Sequence, residues 1–296
     1  ERHFERLNKI SQYNLIFNNF FGNVLIAWTR AFQGNKVESF NFLEKIPSTY
    51  HHLKSIQNIF LQCYFDSNDT QKSLEELIEN ENYNFSRYNF FLVNYLLSKN
   101  KTIEAKKIIQ NSRKKYSSNL LIRQTEFFLQ NDENEKIKNF FNCKNPNDPL
   151  AEFFYVIANL YSSEKDYRLS NFYLKISLFL NSKFTPNEAL FAENFYYQKK
   201  NKESKNIYYS IKSIGSAYSW YASKNIATIL LYEKGKEYSL NSLEKDFNLL
   251  LNPNFEHYYE LANFYKDNEY YKESIKYYSL ALKKIKKNHS LVPKIL

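Results

Sequence analysis

The side chains able to do chemistry are few and scattered. The histidines are His3, His51, His52, His257 and His289, and no HExxH pair occurs among them. The helical motif that places two imidazoles and a glutamate for zinc hydrolysis is therefore absent. His51 and His52 adjoin each other, but they fall between two helical stretches, where a capping or solvated role is expected. Cys63 and Cys143 form no CxxC motif and stand more than two repeats apart in the order set out below, too far for a disulfide in a linear array. Cys63 follows Ile59, Phe60 and Leu61, which suggests a small buried side chain. Gly22, Gly34, Gly215 and Gly235 are isolated, so no phosphate loop exists. Acid pairs such as Glu75 and Glu76 have the spacing of a solvated helix face. Trp28 and Trp220 sit in helical stretches, where core packing or groove lining is expected. The residues therefore describe a chain that is not an enzyme and needs no metal or cofactor.

What could position binding residues is a repeat. The clearest unit runs from Tyr258 to Lys286, with Tyr258, Leu261, Ala262 and Tyr265 on one helical face and Ser274, Tyr278 and Ala281 on the next. Taking Ser274 as marker, the equivalent positions upstream are Leu240, Ser204, Ser170, Ile137, Ala105, Ser73 and Ser39, a period of about 34 residues. A small marker lets two helices cross closely, so the hairpins at Leu240 and Ile137 are expected to splay. Gly34 suits a helix C-cap, and Pro47 and Pro253 close their units. A helix opens at Thr185-Pro186. The fourth unit is the weakest, with Gln124 and Thr125 where apolar and small residues are expected. The seventh is read as carrying about one extra residue in its turn. These patterns predict an all-α fold, an αα-superhelix or solenoid of about eight helix-turn-helix repeats.

Composition agrees with that architecture. The chain has 296 residues, with only 4 glycines and 6 prolines, as short turns between helices require. Tyr and Phe number 26 each, and with abundant Asn and Lys this resembles the codon bias of an AT-rich genome, so most rings are assigned to the core. The net charge of +10 raises docking on nucleic acid or an anionic membrane, yet the excess is shared almost evenly between the halves. Only the end is lopsided, with Lys272, Lys276, Lys283, Lys284, Lys286, Lys287 and Lys294 against Glu273; a solvated helix end is the favoured reading there. Nucleic acid is disfavoured, since no recognition motif accompanies the charge. No apolar run reaches the ~20 residues of an integral membrane span. Both ends read as cuts through a longer protein.

Small residues at Ala262, Ser274 and Ala281 among large ones at Tyr258, Leu261, Tyr265 and Tyr278 resemble the tetratricopeptide repeat, and Ala27, Gly34 and Ser39 carry part of the same pattern. The stretches from Asn23 to Gly34 and from Phe172 to Leu180 are similar to long alphaproteobacterial proteins of that family. The resemblance implies a bacterial source and either the cytoplasm or the periplasm and cell envelope. The expected organisation is repeats 1–4 over 1–142, a joint at 143–149, repeats 5–8 over 150–289, and the start of a further helix at 290–296. It further implies a protein or peptide partner in a concave groove lined by the first helix of each repeat. Carried over by position, the groove residues are Arg87, Phe90 and Asn94; Glu152, Tyr155 and Asn159; Glu193 and Tyr196; and Glu256, Tyr259, Asn263 and Lys266. The implied role is a protein-interaction scaffold; the alternatives are a basic docking surface and a non-catalytic segment of a larger protein.

Overall fold

The computed structural model describes residues 16–80 and 84–284, with side chains from Phe20 onward. All regular structure among them is helical, in eight hairpins. The first three pair α1 (Ile16–Phe32) with α2 (Lys36–Glu44), α3 (His51–Tyr64) with α4 (Thr70–Glu79), and α5 (Tyr88–Ser98) with α6 (Thr102–Lys115). Next come α7 (Leu120–Gln130) with α8 (Asn134–Phe140), and α9 (Asn147–Ser163) with α10 (Tyr167–Leu180). After a 3-10 turn over Thr185–Asn187 follow α11 (Glu188–Tyr197) with α12 (Asn201–Ile211), α13 (Ser216–Lys234) with α14 (Lys236–Asn248), and α15 (Phe255–Asp267) with α16 (Tyr271–Lys284). The chain is an all-α helical-repeat solenoid.

Each hairpin turns on one residue with positive φ: Gly34, Asp66, Asn100, Asp132, Lys165, Lys199, Gly235 and Glu269. In seven of these turns the following amide donates to a carbonyl five residues back, as in Asn35 to Arg30, Lys101 to Leu96 and Tyr270 to Tyr265, at 2.9, 2.9 and 3.0 Å. This closes the orphan carbonyls of the first helix and reverses the chain in three residues, or five in the second turn. The seventh turn differs. Gly235 alone joins α13 to α14, so the extra length of that unit lies in the 19-residue α13 and not in the turn.

The short turn shifts the register of α14 by one residue. Ser239 is fully buried and donates to the Ala227 carbonyl at 2.6 Å, as Ser274 donates to Ala262 at 3.0 Å. Ser239, and not Leu240, is therefore the small residue at the helix crossing. In α4 the fully buried small residue is Thr70, with Leu74 and Leu77 buried one and two turns on, while Ser73 is only half-buried; the Thr70 hydroxyl donates to the Ser67 carbonyl at 2.8 Å. Small residues thus mark every crossing except that of Ile137, which is fully buried in the short α8. In α7 the buried Thr125 donates to the Leu121 carbonyl at 2.7 Å, which satisfies its hydroxyl inside the helix.

Contacts divide the chain into two compact units after Asn194. The stretch 143–149, expected as a joint, lies inside the first unit. There α8 ends after seven residues, and Phe141 turns extended, with φ −152° and ψ 136°. Its ring packs on Phe60 and Phe91 at 5.2 and 4.7 Å, so the chain runs back across the first helices of hairpins two and three. That return overturns the expectation for the cysteines: Cys63 and Cys143 are joined in a disulfide, with Cα atoms 5.9 Å apart. A linear array would have kept them apart; the reversal after α8 brings them together. Asp148 then holds the reversal, accepting from the Asn142 amide and the Asn145 side chain at 2.8 Å each. Burial pushes its carboxyl up to about 6.

Helix α9 follows and lies against α1 and α3. Phe153 meets Phe20 and Phe21 at 5.5 and 5.1 Å, so the core of the first unit is continuous from Phe20 to Phe184. The second unit has its own core of Trp220, Leu243, Phe247, Leu261, Tyr265 and Tyr277. Both tryptophans are core residues, 1% exposed.

Candidate functional site

The first-helix face of the first unit carries most of the residues expected to line a groove, and α9 covers it. Arg87 stands one residue before α5 and points its guanidinium at Glu152, in the second turn of α9. Nε and Nη2 of Arg87 each donate to one Glu152 carboxylate oxygen at 2.8 Å, and Nη2 also donates to Asn187 Oδ1 at 2.7 Å. Tyr155, three residues after Glu152 and so on the same helical face, lays its ring 3.8 Å from the guanidinium carbon. The Phe184 ring sits 5.0 Å away on another side.

Electrostatics follow from this enclosure. The Glu152 side chain is 2% exposed and that of Arg87 18%. Burial raises the Glu152 carboxyl, while the Arg87 charge and the two hydrogen bonds from Arg87 pull it down. Burial works against the charge on Arg87, but the Glu152 carboxylate more than offsets it, and the guanidinium holds its proton more tightly than in water. Tyr88 is raised strongly by burial and by the Glu152 charge. The bidentate geometry and the third bond to Asn187 satisfy the pair within the chain.

The other expected groove residues of this unit are also placed. Phe90 is 1% exposed and packs edge-on against Phe91 and Phe184 at 5.2 and 5.3 Å. Asn94 is 6% exposed and donates to the Ile137 and Phe141 carbonyls at 2.9 Å each, closing the end of α8. Arg87, Phe90, Asn94 and Glu152 therefore fasten hairpins to one another and are not an open groove lining. The reason is the return of the chain after α8, which fills that face with α9. Asn159 is exposed at the far end of α9, and Glu193 is half-buried close enough to Tyr155 to raise its phenol.

Periodicity missed two contributors. Asn187 lies in the 3-10 turn before α11, outside any repeat position, and only Thr185-Pro186 hinted at a structured entry there. Asn194, fully buried, donates to Ser170 Oγ and Asn171 Oδ1 at 2.7 and 2.8 Å and accepts from Ser162 at 2.7 Å, joining α9, α10 and α11. A cavity of about 310 Å³ remains beside the disulfide, floored by Phe60, Phe91 and Phe141. Lys99 and Lys144 stand at its rim, both paired with Asp66, whose carboxyl they hold below its usual range.

In the second unit the first-helix face is open. Tyr196 and Tyr259 are half-buried, Lys266 is exposed, and Tyr232 is 75% exposed. Burial raises the Tyr196 phenol, as do its neighbours Tyr232 and Tyr197. Tyr278 donates to Asn263 Oδ1 at 2.5 Å, and its ring lies 5.8 Å from that of Tyr259. Glu256 is half-buried at the start of α15, where the Asn254 side chain accepts from its amide at 3.1 Å.

Among the described residues no group of three or more His, Cys, Asp or Glu could hold a metal ion. His51 and His52 open α3, and His51 Nδ1 lies 3.2 Å from the Ser48 carbonyl oxygen. Among the described residues no helix is long and apolar enough to cross a membrane. Lys283 and Lys284 close α16 and are exposed; Lys286, Lys287, Lys294, His3 and His289 lie outside the described residues.

No family model matches the chain, and no curated protein matches it. Among solved structures it is similar to a tetratricopeptide repeat protein from Parabacteroides merdae, at 17% identity over 82% of this chain and 98% of that one, with a TM-score of 0.36. It is also similar to the TPR domain of P58(IPK), at 14% identity over 98% and 80% of the two chains, TM-score 0.25. A third is a human IFIT1 dimer with PPP-AAAA, at 12% identity over 95% and 68%, TM-score 0.30. On its own geometry, with recurring positive-φ turns and small residues buried at the crossings, the chain is an array of tetratricopeptide-like hairpins.

Proposed function

We propose that the chain is a non-catalytic protein-interaction scaffold that takes a peptide or partner protein on the first-helix face of its second unit. The observation that carries this reading is the contrast between the two units. The face of the first is closed by α9 and its polar groups are spent internally, whereas the second presents Tyr196, Tyr232, Tyr259, Asn263 and Lys266. Rings with polar ends suit such a surface, because they bury much area while losing few rotamers. Asn263 and Lys266 supply an amide and a cation beside them.

A photo-crosslinking residue placed at Tyr259, against a control at Tyr209 on the exposed side of α12, tests the reading in the native host. The expected result is one or more protein adducts from position 259 only, lost when the same residue at 259 is combined with Tyr196→Ala/Tyr232→Ala. Identical adducts from both positions, or adducts unaffected by the two alanines, would sink it. Capture that collapses steeply with added salt would point instead to the basic-surface alternative, since polyanion binding releases counterions.

A further inference from the structure

The outer face of α10 has no role in either unit's core or in the proposed partner face. Its inner face is spent: Ser170, Leu174 and Ser177 are buried, and Ser177 donates to the Ala151 carbonyl at 2.7 Å. The opposite side carries Arg168, Phe172, Lys175 and Phe179, spaced four, three and four residues apart and so aligned along the helix. That line is about 16 Å long at the α-helical rise. Phe172 is 55% exposed, Phe179 87%, and Leu169 beside them 39%.

Charge on this face is uncompensated. The sequence of α10 contains no carboxylate. Among the described residues neither Arg168 nor Lys175 has an ion-pair partner, although Lys54, Lys106, Lys144, Lys212 and Lys236 are all paired. Lys165 and Lys183 flank the helix ends. The nearest acids on the same turn are Glu164 and Asp166, and Asp166 accepts from the Leu169 amide at 3.1 Å as the helix cap.

We propose that this face docks on the surface of an anionic phospholipid bilayer. A single line of side chains along one helix cannot enclose a peptide, but it can lie flat. Two rings at its crest would enter the boundary between headgroups and acyl chains, with the two cations at the level of the lipid phosphates. A nucleic acid would meet only Arg168 and Lys175 along the line, with Lys165 and Lys183 beyond its ends, too few for the counterion release that drives such binding. The inference is independent of the partner face, which lies on other helices.

Flotation of the full chain with vesicles tests it, using phosphatidylcholine alone and phosphatidylcholine mixed with phosphatidylglycerol. The chain is expected to float with the anionic vesicles and to be released by salt. Phe172→Ser/Phe179→Ser should cut the bound fraction at least about tenfold, as expected when two large apolar side chains are removed from a buried contact. Arg168→Glu/Lys175→Glu should do the same, and a Tyr209→Ala control, at an exposed ring on α12, should float like the wild type. All four positions are exposed, so the melting temperature should hold. Wild-type chain that fails to float with anionic vesicles overturns the proposal, as do variants that float unchanged. So does a face whose loss abolishes self-association or oligonucleotide binding while flotation persists.

Discussion

At the scale of single residues, Arg87 and Glu152 show how position in a repeat can mislead. Both stand where an open groove residue is expected, and both are polar, so periodicity alone could not tell a ligand contact from a partner 65 residues away. What decides is enclosure. An isolated buried charge costs several kcal/mol, and two of them are tolerated only when each satisfies the other. Removing one partner should therefore be worse than removing both. Arg87→Met is expected to destabilise the first unit by about 3–5 kcal/mol, because it strands the Glu152 carboxylate. Arg87→Met/Glu152→Leu should recover a large part of that loss. Urea midpoints of the two variants decide the matter: a double variant no more stable than the single one would mean that the pair acts through something other than mutual charge compensation.

At the scale of elements, the hairpins were the most legible part, because a buried face at helical spacing leaves a pattern that a period can reveal. Crossings were legible where the turn has the common length. They failed at Ser239 and Thr70, because the seventh turn has one residue where most have three, and the second has five, which moves the small residue relative to the fixed count. The turns themselves left little trace. The same left-handed position is glycine in two turns and Asp, Asn, Lys or Glu in the others. A Cβ in that conformation costs about 1 kcal/mol, which glycine avoids. Lys165→Gly and Lys199→Gly, at positions with positive φ of 63° and 58°, should each raise stability by about 0.5–1 kcal/mol. Gly34→Ala should lower it by a similar amount; an added Cβ there meets no atom within 4 Å, so the cost is conformational alone. Equal denaturation midpoints for all three variants and the wild type would show that these turns are not held in the left-handed conformation.

At the scale of the molecule, the closure of the first unit was invisible in the sequence. It depends on where α8 stops, and the extended Phe141 that redirects the chain looks like any other aromatic residue. The disulfide records that closure, joining residues 80 apart and enclosing α4 to α8 in one loop. A cross-link of that span limits the unfolded chain, and its loss costs typically about 2–4 kcal/mol. Cys63→Ser/Cys143→Ser should therefore lower the melting temperature of the first unit and leave the cores of the second, which contain no cysteine, unaffected. Hydrogen exchange resolved by segment can separate the two: faster exchange is expected in α3, α5 and α9, with α13 to α16 unchanged. Such bonds persist in oxidising compartments and are rare in reducing ones. Thiol titration of the denatured, unreduced chain, prepared under oxidising conditions, should find no free cysteine. Two free thiols there, with exchange rates equal to those of the double variant, would show that packing around Phe141 closes the unit without the bond.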